Sequence, residues 1–483
     1  MPSPEVPQEL LGTEHMGPKG WIRQVLCFEL PEDYDIDNVS SILKTAYVAM
    51  KARTPPAGLK MVPLVDGSKP GRWQWQRFPE GEIEDFKVSD LRGDFVPFAE
   101  FKANEYPMTL LTPEKMGPRS IWPSAADMAL WFHTTYMQAN FIKGGLLLSM
   151  GIFHSSADAT SAYVMTKVMT EHIRKAQGLP VPDPVDVSSL LKERKLLDKS
   201  RRGHLSSVPK LEDTPEYVLL PFTPEGPPPK ILEPIHQANI FHFSPRALDQ
   251  LKKDAAPTQE NLRVLKGDKS GGDLPDFIST NDALNALLWK VVMDVQHPDL
   301  EAAMREEPER PSHLLIALDE RRRAGMHEHT LGNLLAWAPL FHDLRSVVRD
   351  ATLADLAVMI RRSVKQRSDD PDFVHKHEAV LNGVEQLDRI APLVFLDVPG
   401  RNTLTSSWRD NTYYGLEWGP VFGDRIKAVR APSVGVCHGF QVILPDRPDK
   451  PGVEMMVGVE TPAVERLTKH PLWTKYAEAP KVY

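Results

Sequence analysis

The most constraining feature of the sequence is a largely apolar segment that runs directly into a histidine. The stretch 146–153 has the length and composition of a strand buried on both faces. His154 follows at once, and the small residues after it predict a tight turn. Apolar residues then recur at helical spacing over 162–173, and Gly178 ends the predicted helix. The pattern predicts a strand–turn–helix corner, a unit of mixed α/β folds.

His154 stands where the buried strand is predicted to end, and clefts form at such strand ends in α/β proteins. An imidazole titrates near neutrality, which suits a general base. Among the 16 histidines, His154 is the only one followed by an aspartate four positions later, Asp158. The same spacing fits a structural role, with a histidine at a turn and Asp158 stabilising a helix N-terminus. Spacing alone leaves both interpretations open.

The length of 483 residues exceeds what one hydrophobic core usually organises. Eleven of the 44 prolines fall within 180–234, and the run 227–229 excludes a central strand or a helix interior there. Strand-like and helix-like segments alternate on both sides of this stretch. We therefore predict an N-terminal half (1–205), a proline-rich crossover (206–235) and a C-terminal half (236–483), with mixed α/β structure in each half.

Composition excludes several classes of function. The net charge of -8 argues against a general nucleic-acid-binding surface. The first twenty residues lack the apolar region of a signal peptide, and no apolar run reaches membrane-spanning length, so a cytoplasmic protein is expected. Cys27 and Cys437 form no disulfide framework and are expected to be buried, reduced thiols. Two His-x-His pairs lack a third ligand nearby, so no metal site is expected.

Several short segments resemble the BAHD acyltransferases, and most closely their fungal relatives of the trichothecene 3-O-acetyltransferase type. The resemblance covers most of the chain, and the segments occur in the family's order: HSSADATSA at 154–162, STNDAL at 279–284 with Trp289, LDER at 318–321, LGN at 331–333 and TSSW at 405–408. The chain departs from the family at 417–421, where EWGPV replaces the Asp-Phe-Gly-Trp-Gly motif. That departure disfavours the plant branch.

The resemblance implies two similar chloramphenicol-acetyltransferase-like domains, with mixed sheets and flanking helices, and a channel between them. It implies that His154 is the general base and that Asp158 supports the site structurally through a salt bridge with Arg321. Ser406, Ser407 and Ser279 become candidates for contacting coenzyme A, and Asn333 and Trp418 for lining the channel. Ordinary strand, cap and turn roles remain the alternative for the serines and for Asn333.

The implied function is transfer of an acyl group, with acetyl favoured, from acyl-CoA to a hydroxyl of a specialised (secondary) metabolite. Both substrates would bind together, and no cofactor would be tightly bound. No nucleic acid or membrane is expected as a partner, and a monomer is the default. One alternative is a condensation-type enzyme that uses a carrier-protein thioester; such enzymes usually have a second histidine where Phe153 stands. Another is a catalytically silent binding protein with the same fold.

Overall fold

A computed structural model describes residues 10–17, 19–64, 69–78, 85–117, 122, 132–198, 205, 209–232, 236–259, 261, 277–436 and 439–480. Its strands, in chain order, are β1 (Trp21–Glu29), β2 (Lys60–Pro63), β3 (Trp73–Gln76), β4 (Phe86–Asp90), β5 (Phe132–His133), β6 (Thr135–Ile142), β7 (Gly145–Phe153), β8 (Tyr217–Leu219), β9 (His236–Phe243), β10 (Ser312–Asp319), β11 (Leu335–His342), β12 (Ile390–Pro392), β13 (Asn402–Ser407), β14 (Ala428–Arg430), β15 (Phe440–Ile443) and β16 (Val453–Glu460).

The α-helices of the same residues are α1 (Gly12–Met16), α2 (Ile36–Arg53), α3 (Pro55–Gly58), α4 (Phe98–Ala103), α5 (Pro113–Met116), α6 (Ala159–Ala176), α7 (Val187–Lys192), α8 (Lys195–Asp198), α9 (Pro229–Leu232), α10 (Pro245–Asp254), α11 (Thr280–Gln296), α12 (Leu300–Glu306), α13 (Leu353–Asp369), α14 (Phe373–Gly383), α15 (Thr461–Lys469) and α16 (Pro471–Thr474). In this part of the chain, no helix has both the length and the apolar character needed to cross a bilayer.

The first sheet has the strand order β14-β1-β7-β6-β4. Strand β7 is buried at every position, because it lies between β1 and β6 and both faces of the sheet are covered. Leu146 and Leu148 pack in the cluster that includes α2 and α6, whereas Leu147 faces a second cluster with Phe98 and Phe101. This two-sided packing explains the continuous apolar run in the sequence.

The second sheet has the strand order β11-β10-β13-β15-β16-β9. Strands β10, β13 and β15 run parallel to one another, so their carboxyl ends meet at one edge. Helices α11 and α13 contribute to the core on one face of the sheet. Trp289 of α11 is fully buried there, and its Nε1 donates a hydrogen bond to Ser312 Oγ at 2.8 Å. The mixed α/β architecture, with these two large sheets and two small ones of two and three strands among the described residues, agrees with the predicted fold class.

Sheet membership does not follow the order of the sequence everywhere. Strand β14 comes late in the chain, yet it pairs with β1 at the edge of the first sheet. Arg430 of β14 forms a buried ion pair with Glu454 of β16, at 2.8 Å, so it fastens one sheet to the other. Within the predicted crossover, β8 pairs with β12. The boundaries 1–205, 206–235 and 236–483 stay a prediction.

Cys27 of β1 is a buried, free thiol, as the sequence predicts. Burial raises the pKa of this thiol to about 12, so it stays protonated at neutral pH. Cys437 lies outside the described residues.

Candidate active site

His154 directly follows β7, in the predicted strand–turn–helix corner. Its backbone amide donates a hydrogen bond to the carbonyl oxygen of Gly20 at 2.8 Å, just before β1 begins. The amide of Ser156 donates to the carbonyl oxygen of Phe153 at 2.9 Å, which closes a tight turn of small residues. Trp21 packs edge-on against Phe153 across the strand pair. The main chain around His154 is therefore held on both sides.

The imidazole of His154 is half-buried in the wall of a cleft. Its Nδ1 is buried and makes no hydrogen bond to another of the described residues, which leaves Nε2 as the nitrogen available to a ligand. Burial lowers the pKa of His154, although contact with its own backbone and the charge of Asp158 partly oppose this effect. The ring is neutral at neutral pH, which is the form that accepts a proton.

Asp158 is the N-cap of α6, and its Oδ1 accepts a hydrogen bond from the Ser161 amide at 2.9 Å. Arg321 binds both carboxylate oxygens, with Nη1–Oδ2 at 2.8 Å and Nη2–Oδ1 at 2.9 Å. The Leu334 amide donates to Oδ2 at 2.9 Å. Burial alone would raise the pKa of Asp158, but the charge of Arg321 and these donors lower it overall. The carboxylate is therefore charged and its oxygens are engaged in holding the corner.

Arg321 is 1% exposed and uses every group of its guanidinium. Nε donates to the Thr330 carbonyl oxygen at 2.7 Å, and Nη2 also donates to Ser161 Oγ and to the Gly332 carbonyl oxygen, both at 3.2 Å. The turn after β7 and the loop after β10 are thus locked together, although Asp158 and Arg321 are 163 positions apart. The contact that the resemblance implies is present.

A cleft with about 1030 Å³ of empty space opens in front of His154. It lies at the carboxyl ends of the parallel strands β10 and β13, the position where ligands bind in many open α/β sheets. Both halves of the chain supply its walls. The residues on the N-terminal side are Gly20, Trp21, Ile22, Trp122, His154, Asp158, Ala159 and Thr160. Those on the C-terminal side include Asp319, Arg321, Leu335, Trp337, Ser406, Ser407, Trp408, Asp410, Asn411, Val436 and Phe440.

The three serines predicted to contact coenzyme A separate into two groups. Ser406 and Ser407 form the end of β13 and line the cleft. Ser279 is the N-cap of α11: its Oγ donates to the Asp282 carboxylate at 2.7 Å and accepts from the Asp282 amide at 3.2 Å. It is not among the residues that line the cleft. A role for Ser279 in binding stays a prediction, and its hydroxyl already serves the helix.

The structure corrects the placement of Trp418. Its ring is fully buried against Phe28, with ring centroids 4.8 Å apart, and does not line the cleft. Gln177, just beyond the C-terminal end of α6, donates a hydrogen bond to the Trp418 carbonyl oxygen at 2.8 Å. His154 precedes the opposite end of this 18-residue helix, whose length is about 27 Å. Trp418 is a core residue beside the first sheet.

Asn333 also lies outside the cleft walls. Its side chain is 1% exposed and donates a hydrogen bond to the Thr13 carbonyl oxygen at 3.3 Å. A Cβ atom at Gly17 would approach Asn333 Nδ2 at 2.4 Å and the His154 carbonyl oxygen at 2.9 Å. Asn333 therefore packs against the segment that precedes β1, next to the strand–turn–helix corner, and does not line the cleft.

Sequence reasoning does not single out Asp410 and Asn411, which line the cleft directly after Trp408. It also misses Trp122 and Trp337 on the walls. The available signal is that Asp410 and Asn411 follow the TSSW segment at the end of a predicted strand. Within the described residues, no group of three or more His, Cys, Asp or Glu side chains is arranged to hold a metal ion.

Comparison with known proteins places the chain among acyltransferases. A family model described as "Transferase family" matches residues 133–471, and one described as "Trichothecene 3-O-acetyltransferase-like N-terminal domain" matches residues 21–172. The first match spans well over half of the chain. The predicted relationship to fungal trichothecene O-acetyltransferases is confirmed.

Individual relatives are distant in sequence. The chain is 26% identical to the eremophilane O-acetyltransferase prx11 of Penicillium rubens over 82% of each protein. It is 24% identical to the trichothecene 3-O-acetyltransferase TRI101 of Fusarium sporotrichioides over 71% of this chain and 67% of that protein. The crystal structure of F. graminearum TRI101 complexed with coenzyme A and deoxynivalenol has the same fold. It matches with a TM-score of 0.76 at 18% identity, over 97% of this chain and 98% of that chain.

Proposed function

Because this chain belongs to the transferase family, we propose that it is an acyl-CoA-dependent O-acyltransferase. The acceptor is a hydroxyl of a secondary metabolite, and the acyl group is acetyl. The relatives prx11 and TRI101 are named as O-acetyltransferases, and structures of TRI101 contain coenzyme A with a toxin. The observation that carries the proposal is the position of the His154 imidazole in the wall of a cleft shared by both halves of the chain, where burial lowers its pKa.

In the proposed reaction, Nε2 of His154 accepts the proton of the acceptor hydroxyl while the hydroxyl oxygen attacks the thioester carbonyl carbon. The carbon–sulfur bond then breaks, and protonated His154 returns the proton to the departing thiolate of coenzyme A. General-base catalysis of this kind contributes about 10²–10⁴-fold to the rate. Both substrates occupy the cleft together, so proximity supplies a further part of the acceleration. No acyl-enzyme forms.

Asp158 and Arg321 act in this proposal as positioning residues. Their ion pair holds the turn on which His154 stands against the loop after β10. Asp158 makes no hydrogen bond to His154 and its oxygens are already engaged, which supports a structural role over proton relay. We propose that Ser406 and Ser407 hydrogen-bond the amides of the pantetheine arm, and their position in the cleft wall at the end of β13 supports this role.

The proposal is tested by acceptor-dependent release of free thiol from acetyl-CoA, with hydroxylated terpenoids that include deoxynivalenol as acceptors. We expect His154→Ala to lose at least 10²-fold in kcat/KM while its circular dichroism spectrum stays unchanged. His342→Ala, a histidine on β11 that does not line the cleft, is the matched control and should keep the wild-type rate. A folded His154→Ala protein that transfers acetyl groups at the wild-type rate contradicts the mechanism.

A further inference from the structure

Two polar side chains in the cleft have no use in the transfer mechanism. Asp410 is exposed into the cleft, and among the described residues its carboxylate forms no hydrogen bond and no ion pair. The next residue, Asn411, is only 6% exposed, and within the same part of the chain its side-chain amide has no hydrogen-bond partner. The polar atoms of this amide are not enclosed, so they reach the cleft, as the Asp410 carboxylate does, and can bind a polar group of a ligand there.

The neighbouring arginines do not form ion pairs with the Asp410 carboxylate, because each binds another carboxylate. Arg409 is held by Asp446 in a two-fold contact, with nitrogen–oxygen distances of 2.8 and 2.6 Å. Arg322 binds Glu328 at 2.6 Å. Both guanidiniums still feel the charge of Asp410 and compensate it partly from a distance. Asp410 is therefore available to a ligand in the cleft, and its negative charge is partly compensated by the two arginines.

The walls around this pair are aromatic. Trp21, Trp122, Trp337 and Trp408 line the same cleft and are each less than a tenth exposed. Large apolar rings with a few polar groups at fixed positions bind an apolar skeleton and fix its orientation through its polar substituents. The polar groups facing the cleft beside these rings include Asp410 and Asn411.

We infer that Asp410 and Asn411 bind a second hydroxyl of the acceptor, separate from the one that is acylated, and so determine which hydroxyl reaches His154. The inference rests on the proposed function. A carboxylate accepts a hydrogen bond, whereas an amide both accepts and donates. A hydroxyl also does both and satisfies the pair, while an ammonium only donates and leaves the amide NH₂ without a partner. The acceptor is therefore an apolar ring compound with at least two hydroxyls.

The experiment measures binding without acetyl-CoA, so that its outcome does not depend on transfer. Isothermal calorimetry on the full chain gives dissociation constants for adamantanol, adamantanediol and aminoadamantanol, which share one rigid skeleton. We expect the wild-type protein to bind the diol about tenfold more tightly than the mono-alcohol. Asp410→Ala and Asn411→Ala should each reduce this preference severalfold. Asp249→Ala, an exposed aspartate on α10 outside the cleft, should leave it unchanged.

Equal affinity of the wild-type protein for the diol and the mono-alcohol overturns the inference. If the wild-type protein binds aminoadamantanol most tightly and Asp410→Asn abolishes this preference, the inference is also overturned. The pair would then bind an ammonium group. Absence of thiol release in the acetyl-CoA assay, with the diol preference intact, contradicts the proposed function alone. Asp410 is exposed and free, so its substitution is expected to leave the fold intact, and thermal unfolding verifies this.

Discussion

The lowered pKa of His154 follows from the limited access of water to its ring. The buried Nδ1 and the half-buried ring disfavour the imidazolium, and the charge of Asp158 offsets this only in part. In the proposed role of general base, His154 is therefore mainly in the form that accepts a proton at neutral pH. A lower pKa also makes the imidazole a weaker base, so it accepts the proton of the acceptor hydroxyl less readily.

The acid limb of the activity profile should reflect this lowered pKa. As pH falls through the pKa of His154, the base becomes protonated and kcat/KM declines. We expect the midpoint of this decline to lie below about 6.5, the ordinary imidazole value. Measurement of kcat/KM from pH 5 to pH 9 with a saturating second substrate tests this. A midpoint above 7 contradicts the burial argument.

Glu14 also titrates within the pH range of this activity profile, so the assignment of the acid limb to His154 needs a control. Burial raises the pKa of Glu14 to about 7, although Arg194 opposes the shift. A carboxyl whose folded pKa is raised favours the folded state when protonated, so this contribution declines as pH rises through 7. Glu14→Gln removes that titration, and the acid limb should persist in this variant. If the acid limb is lost in Glu14→Gln, it reports the titration of Glu14, and its assignment to His154 is wrong.

The element that matters most is the corner between β7 and α6. Asp158 caps the helix and neutralises Arg321 with the same carboxylate, so one side chain fixes both the helix start and the neighbouring loop. Gly332, in the loop after β10, also contributes to the corner, because its amide donates a hydrogen bond to Ser161 Oγ at 3.0 Å. Its φ of 142° lies in a region where an L side chain is strained, so glycine suits this position. The corner is rigid because three chain segments share these bonds.

Asp158→Asn separates the two roles of this carboxylate. The amide still caps α6, but Arg321 keeps only the more exposed Asp319, at 3.2 Å, as a charged partner. Breaking a buried ion pair costs about 3–5 kcal/mol, and the remaining partner places the expected loss near 3 kcal/mol. Urea unfolding measures the stability, and the thiol-release assay should show a parallel loss of kcat.

Asp35→Asn is the matched control for this prediction, because Asp35 caps α2 in an exposed position and binds no arginine of the described residues. The same substitution there should change stability by less than about 1 kcal/mol. Equal losses at Asp158 and Asp35 would contradict the ion-pair argument.

In the whole molecule, the two sheets are joined away from the cleft by a buried charge cluster. Glu454 of β16 accepts hydrogen bonds from Arg430 of β14 at 2.8 and 3.0 Å and from Arg447 at 3.1 Å. Because β14 belongs to the first sheet and β16 to the second, this carboxylate connects the two sheets. It helps fix the relative position of the walls on either side of His154.

Glu454→Gln should therefore destabilise the whole protein. The substitution leaves the buried Arg430 facing a neutral amide, at an expected cost of about 3–5 kcal/mol. Thermal unfolding followed by circular dichroism should show a lower midpoint. Glu478→Gln, whose carboxylate is 58% exposed and contacts His242, is the matched control and should change stability by less than about 1 kcal/mol. A Glu454→Gln midpoint equal to that of the control contradicts this connection.

The sequence by itself determined the local units and the family. The apolar run of β7, the small-residue turn and the spacing of α6 specify the corner because neighbours along the chain create them. The N-caps of α10 and α11, Ser244 and Ser279, are local in the same way, because each side chain accepts a hydrogen bond from an amide three residues further on. The motif order was enough to assign the acyltransferase family, which the family model confirms.

Only the tertiary structure decided which side chains share the cleft. Trp418 and Asn333 stand in recognisable segments, yet one is a core residue and the other packs next to the corner, because a motif does not specify where its side chains point. Asp410 and Asn411 carry no pattern of their own, and they line the same cleft as His154 only because the two large sheets approach each other. Contacts between segments far apart in the chain depend on packing, and no local periodicity encodes them.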